Sequence, residues 1–373
     1  MSLSSSLQDR LVALGLAIID QEKAKVVVDP YERSSGFWFG GGNMVRDRDG
    51  RVLIVGRYRN RGDSRTGLRL GTRGLECAIW RSPDGLADYE LVRKWAKADL
   101  TCEGHHVISI EGTALRLSDE GIELFISSEK ELDYPAAYQN RQKPGTGIWT
   151  IDRMTGNSVP GLDPKTLHTV LKTTRPSDLH IKDPVIAALS DGSTALLFCT
   201  HPFSWTSSNT AVAIRENEKK GTVFGEPRWA ILPRGNCWDV TVARVTDVLR
   251  VPRVGELAAW PQINLYFYDG AECIHDHSKG RPDRTAGYRP RGYSCEEIGG
   301  LAWGFDEAFP EMEVLSVETP LFTSPMGTGC SRYVSTMIDE QGVLATWQQS
   351  QDDLSQPLVA HRLPMEEIER LLT

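Results

Sequence analysis

No stretch of this 373-residue chain is apolar for long enough to cross a bilayer as a helix, so no membrane partner is expected. The sequence has no CxxC pair, and its seven cysteines are an odd number. Neither a zinc ribbon nor a closed disulfide framework is therefore expected, and reduced thiols in a cytoplasm are. The first ten residues run from polar to charged and lack the apolar centre of a secretory signal. Positive charge is not in excess: 42 basic against 50 acidic side chains leave a net charge of −8, which argues against a nucleic-acid surface. Gly40-Gly41-Gly42 lacks both the Lys-Ser/Thr of a phosphate loop and a βαβ setting. Close backbone packing is its expected role. Helical periodicity is confined to the two ends: Ser6 to Lys25, with Leu7, Leu11, Leu14, Leu16, Ile18 and Ile19 among charges, and Pro364 to Leu372.

Between those ends one layout recurs five times. A short apolar strand runs into polar residues at Leu53–Arg57, Leu124–Glu129, Leu196–His201, Leu265–Asp269 and Leu344–Gln348. A tight turn precedes four of them: Asp49-Gly50, Glu120-Gly121, Asp191-Gly192 and Gln341-Gly342. The glycines are 71, 71 and 150 residues apart, the last step being close to two periods. Hairpins at this period without helices between them predict an all-β, five-bladed β-propeller. Ten Trp and 34 Gly suit such a turn-rich fold. The predicted organisation is one propeller domain over 1–373, with 1–30 a helical extension and blades at about 37–95, 103–175, 180–230, 236–320 and 326–363. Residues 250–262 are a long insertion in the fourth blade, and 274–293 a charged Gly/Pro-containing loop.

Antiparallel strands joined by a tight turn bring the start of the first strand beside the end of the second. One face of the propeller should therefore gather Asn43, His105, His106, Lys182, Asp183, Asp239 and Arg332 with Arg57, Arg59, Glu129, His201, Asp269 and Gln348. Eleven of these thirteen are ionisable, on strands whose middles are apolar. A purely structural propeller has no need of such a ring.

The sharpest local pattern is His180-Ile181-Lys182-Asp183-Pro184-Val185-Ile186, followed by Asp191-Gly192 and an apolar strand. Proline keeps Asp183 extended, so its carboxylate projects from the strand start. This resembles the Asp-Pro motif of five-bladed, furanosidase-type glycoside hydrolases, the arabinanase, β-xylosidase and invertase-like superfamily. The resemblance extends over the whole chain as architecture and over about a dozen residues as motif. It implies that Asp183 orients and tunes a general acid. It implies Glu103 as that acid, through the Glu-Gly pair in Cys102-Glu103-Gly104-His105-His106, and it makes Asp239, opening the next inner strand, the matching base. Inverting hydrolysis needs such a pair of carboxylates, and a third beside the acid raises its pKa. The chain departs from the family pattern in two ways: its first blade offers Asn43 where the family has an acid, and the Asp-Pro residue follows the Glu-Gly residue along the chain.

The readings reached are a carbohydrate-active enzyme with catalytic candidates Asp183, Glu103, Asp239 and His106, and binding candidates Asn43, Arg57, Glu129, His201, Arg332 and Gln348. The expected partner is an oligosaccharide. No cofactor is expected, with room left for a structural divalent ion at the axis. Two alternatives stay open. A lyase on a uronate-containing sugar would use Arg57 and Arg332 to bind the carboxylate and His106 or a Tyr (58, 268 or 333) to move the C5 proton. A non-catalytic binding propeller would present an apolar patch instead. The basic run Arg57 to Arg65 reads as a substrate-gripping loop, His275-Asp276-His277 as a weak metal pattern, and Trp347 to Asp353 as an amide-rich rim suited to sugar hydroxyls.

Overall fold

The turns define the blades. At Gly50 and Gly192, φ is +80° and +83°, a region open to glycine and costly for other residues. Their N–H groups close the turns onto Asp47 O at 3.1 Å and Leu189 O at 3.0 Å. On either side, apolar strands pair antiparallel, and the computed structural model resolves them into five sheets. It describes residues 2–59, 73–203, 207–216, 223–271 and 297–373.

Blade 1 comprises β2 (Trp38–Gly40), β3 (Met44–Arg46), β4 (Val52–Arg59), β5 (Glu76–Ser82) and β6 (Glu90–Ala96). Here β2 and β3 both pair with β4, as two halves of one inner strand. Blade 2 is β7 (Val107–Ser118), β8 (Gly121–Lys130), β9 (Ile148–Gly156) and β10 (His168–Leu171). Blade 3 is β11 (His180–Ala188), β12 (Thr194–His201), β13 (Asn209–Arg215) and β14 (Arg228–Leu232). Blade 4 is β15 (Val242–Arg250), β16 (Ile263–Ala271), β17 (Ile298–Phe305) and β18 (Glu313–Val314). Its first hairpin has no tight turn: residues 251–262 carry a short 3-10 helix, Gly255–Ala259, where an insertion is predicted.

Blade 5 departs from the sequence expectation. Its strands β19 (Ser331–Asp339), β20 (Gly342–Gln349) and β21 (Leu358–Pro364) are completed by β1 (Lys25–Val28), which pairs antiparallel with β21. Residues 25–28 therefore close the ring and are no part of a helical extension. The helix α1 (Ser5–Ile18) begins at Ser4, whose side chain accepts from Leu7 N. It stops before Lys25 because the Asp20 carboxylate takes the N–H groups of Glu22 and Lys23, at 3.1 and 3.0 Å. Leu7, Leu11, Leu14 and Ile18 pack into the core between blades 4 and 5, beside α2 (Met365–Leu372).

The core is one layer of side chains between each pair of neighbouring blades. Leu53, Ile110 and Leu124 fill the blade 1–2 gap, Phe125 and Phe198 the 2–3 gap, and Trp238 and Tyr266 the 3–4 gap. Phe39, Ile54 and Leu344 fill the 5–1 gap. Apolar blade flanks leave the inner strand ends as the place where charge can collect. No helix among the described residues is long and apolar enough to cross a membrane.

Candidate active site

Every inner strand is interrupted at the same height. Extra residues bulge out of the β7–β8 ladder at Glu111–Gly112, out of β11–β12 at Asp183–Pro184 and out of β19–β20 at Tyr333–Val334. The β15–β16 ladder shifts at Thr246, and blade 1 breaks at 41–43 between β2 and β3. A bulge re-aims a side chain without ending the strand, and four of them, with the break in blade 1, turn polar groups onto the axis. Asp183 and Tyr333 hold φ of +56° and +54°, strained for residues other than glycine; Asp183 is thus not extended as the proline after it suggested, because the bulge turns it into the left-handed region. Hydrogen bonds hold both. Asp183 Oδ1 accepts from Gly112 N at 2.9 Å, and Asp183 N donates to Ser127 Oγ at 3.1 Å. Tyr333 N donates to both oxygens of Asp269, at 3.1 and 3.2 Å. The axial glycines are packed as expected: a Cβ on Gly42 would lie 2.0 Å from Val55 O.

Arg244, on β15, is the hub. Its Nη1 donates to Asp183 Oδ2 at 2.8 Å, and its Nη2 to Asp269 Oδ2 at 2.6 Å and Glu297 Oε2 at 2.9 Å. Arg332 also donates to Glu297, and through Nη2 to Gln356 Oε1 at 3.1 Å. Arg57 sends Nε and Nη2 to Glu111 Oε2, at 3.1 and 2.9 Å. The Tyr333 ring lies beneath all three guanidiniums, at 4.2 Å for Arg244, 5.3 Å for Arg332 and 5.5 Å for Arg57. A pocket of about 10 Å³ lies at the axis, lined by Gly41, Gly112, Asp183, Arg244, Thr246 and Tyr333 among others.

The charges set the protonation states. Burial works against ionising Asp183, but Lys182 and then Arg244 hold its carboxyl below the ordinary range. Glu111 is likewise held down by Arg57 and Lys182 in spite of burial, and Glu297 lies well below the usual value next to Arg244 and Arg332. Asp269 goes the other way: burial pushes it up to about 7, with Arg244 opposing. Burial also holds the Tyr333 phenol well above its ordinary value. Burial, with Lys182 and Arg244, keeps His201 well below the usual imidazole range and hence neutral. Most of this floor is closed, but Glu111 and Lys182 keep 16% and 19% of their side chains open.

The structure brings together part of the predicted set. Asp183, Arg57 and Arg332 meet at the axis. The Gln348 amide, its oxygen toward Arg332, accepts from Nη2 at 2.9 Å and Nε at 3.2 Å. His201 reaches Asp183 through Cys199, whose Sγ lies 3.9 Å from His201 Nε2 and 3.4 Å from Asp183 Oδ2. Glu129 is buried on the blade 2 side, taking Arg73 at 2.7 Å and Gly147 N at 2.9 Å.

Four candidates stand elsewhere. Glu103 is in an exposed turn with φ of +52°, where it accepts from Thr169 N of the outer strand β10 at 3.2 Å. His106 is exposed at the outer end of β7. Both miss the axis because β7 runs on beyond its bulge: five residues separate His106 from Glu111, roughly 16 Å of strand. Asp239 lies in the blade 3–4 interface, accepting from Tyr268 OH at 3.2 Å with Trp238 beside it. Asn43 clamps two inner strands: its Nδ2 donates to Leu115 O at 2.9 Å and its Oδ1 accepts from Leu115 N at 2.7 Å, so its amide serves the contact between blades 1 and 2. Residues 60–65 of the basic run, and His275-Asp276-His277, lie outside the described residues.

Sequence reasoning missed Glu111, Arg244, Glu297 and Gln356. For the first, a signal existed: Glu111-Gly112 is a second Glu-Gly pair, eight residues after the one chosen. Arg244 was marked by being a lone charge within Val242-Ala243-Arg244-Val245. Among the described residues no three or more His, Cys, Asp or Glu side chains gather to hold a metal ion. The axial carboxylates do not fit an ion either, because guanidiniums already meet them, and Arg244 stands among them as the cation.

No family model matches the chain, and no curated protein matches its sequence. Solved structures do match its fold. An α-L-arabinofuranosidase from Lactobacillus brevis superposes with a TM-score of 0.54 at 9% identity, over 90% of this chain and 92% of that one. A thermostable family-43 glycoside hydrolase gives 0.54 at 12% identity, over 91% and 94%. An exo-1,5-α-L-arabinanase from a bovine ruminal metagenomic library gives 0.51 at 10%, over 91% and 94%. At these identities the likeness is one of fold: the chain has the five-bladed propeller found in glycoside hydrolases of this kind.

Proposed function

We propose that this protein is a carbohydrate-active enzyme, a glycoside hydrolase that acts on oligosaccharides in the funnel of the propeller. The observation that carries the reading is the pair Glu111 and Asp183 on neighbouring inner strands, both ionised, with Glu111 the member open to the funnel. The shared fold with arabinofuranosidase and arabinanase supports it. Inverting hydrolysis needs a protonated group that gives its proton to the leaving oxygen and one carboxylate that stays ionised to activate water. Glu111 has the charge state and the exposure for that role. Asp183 stands behind it, tied to Arg244 and Gly112 N, as the carboxylate that fixes the local field.

Elimination is the weaker reading. His106 is remote from the axis, and a Tyr333 phenol held far above its ordinary pKa is a poor base. A non-catalytic partner-binding face is weaker still, because the funnel floor is charged where such a face would be apolar. Five described cysteines, all free thiols, support a reducing, cytoplasmic setting.

The test is incubation with a panel of neutral and uronate-containing oligosaccharides, following new reducing ends and the ultraviolet absorbance of unsaturated uronates. New reducing ends with wild type, lost in Glu111→Gln and Asp183→Ala but kept in Glu103→Gln, are the expected result. Absorbance in place of reducing ends, or full activity in Glu111→Gln, would sink the assignment.

A further inference from the structure

Lys182 is a cation without a hydrogen-bonded partner among the described residues. Its nearest carboxylate oxygen, Asp183 Oδ2, is 4.0 Å away, beyond hydrogen-bond reach. That oxygen already receives Arg244 Nη1 and Cys199 Sγ, and the other carries Gly112 N. The ammonium lies 5.4 Å from the centre of the Trp149 ring and is partly open to the funnel. On the other side of Glu111, Arg57 is 2% exposed, and its Nη1 is buried with no acceptor among the described residues. Both of its other nitrogens bond to a single oxygen of Glu111. Two cations with unused donors therefore flank Glu111, the most open of the described carboxylates of the floor. Asp183 and Glu111 already share the charge of these cations, so what is left open is donors, which a carboxylate would take in charge-assisted hydrogen bonds stronger than those of a neutral hydroxyl.

We infer that the sugar taken into this funnel bears a carboxylate, a uronic acid or its like, held by the Lys182 ammonium with Arg57 Nη1 as second donor. The inference rests on the hydrolase reading above and specifies its substrate class. Glu111 is then kept off the bound carboxylate by the cations on either side, which screen the two negative groups from one another.

The experiment measures equilibrium binding of paired methyl glycosides, glucuronoside against glucoside and galacturonoside against galactoside, at low and high sodium chloride. Wild type should bind the acid member of at least one pair about tenfold or more tightly than its neutral partner. The preference should shrink with salt, vanish in Lys182→Gln and persist in Lys182→Arg, whose thermal unfolding reports that the fold is intact. Equal or tighter binding of the neutral members, no binding of either, or a preference unaltered in Lys182→Gln overturns the inference. Cleavage of aryl glycosides from the same pairs separates the two claims. Cleavage of neutral glycosides alone overturns the acidic substrate and leaves the hydrolase standing. Acid-selective binding without cleavage of any glycoside supports the carboxylate site and removes the hydrolase.

Discussion

Replacing Arg244 with methionine keeps the bulk of the side chain and removes the charge that three buried carboxylates share. Asp183, Asp269 and Glu297 lose partners at 2.8, 2.6 and 2.9 Å. Removing one partner from a buried ion pair costs about 3–5 kcal/mol, because an uncompensated charge stays behind. At ~2–4 °C per kcal/mol the melting temperature should fall by roughly 6–20 °C near neutral pH, toward the lower end in a chain of this length. The sign of the pH dependence follows from the carboxylates. In the wild type, Asp183 and Glu297 have folded values below their unfolded ones. Their stabilisation is therefore present above the unfolded pKa and is lost as pH falls through the folded one. Without Arg244, burial of these groups is opposed only by the remaining cations, Lys182 beside Asp183 and Arg332 beside Glu297, so their folded values rise and they weigh most heavily when ionised at high pH. Protonation relieves them as pH falls. The gap between wild type and Arg244→Met should thus narrow as pH falls below about 5, in melts followed by circular dichroism. A gap under about 1 kcal/mol at pH 7.5, or one that does not change with pH, would refute the view of Arg244 as the charge that holds the floor together.

Other expectations follow from single contacts. Asn43→Ala should lower stability by about 1–3 kcal/mol in denaturant titrations, since both backbone groups of Leu115 lose a partner, with any residual activity keeping its substrate preference. Gly42→Ala places a methyl 2.0 Å from Val55 O, and a loss of about 1–3 kcal/mol or a failure to fold is expected on expression and melting. Asp247 accepts from Thr336 N at 2.8 Å and is pushed up to about 7 by burial. A folded value above the unfolded one gives stability that is full below the unfolded pKa and lost as pH rises through 7. Asp247→Asn should therefore flatten the stability profile between pH 4 and 7 and compare best with wild type at pH 8, as measured by melting across that range.

The hairpin framework was legible in the sequence because its signals are local. An Asp-Gly or Gln-Gly turn next to an apolar strand needs only a dozen residues to state itself, and the second strands fall where those turns put them: Leu53 in β4, Leu124 in β8, Leu196 in β12 and Leu344 in β20. The same locality made Asp183 visible through the proline that follows it, and Arg57, Arg332 and Gln348 through their place at strand ends on the axial side. What lay beyond local signals is of two kinds. The pairing of Lys25–Val28 with β21 joins residues more than 300 positions apart, and no periodicity in four residues announces a partner at that distance. The bulges are the other kind. One inserted residue moves a side chain from the blade face to the axis, and it was this offset that sent Glu103 and His106 outward and brought Glu111 in. Composition and turn chemistry thus determined by themselves that the chain is a ring of β-hairpins with charged strand ends. Which charges meet was decided only by the closed tertiary structure, because axial contacts arise between blades that share no sequence neighbourhood.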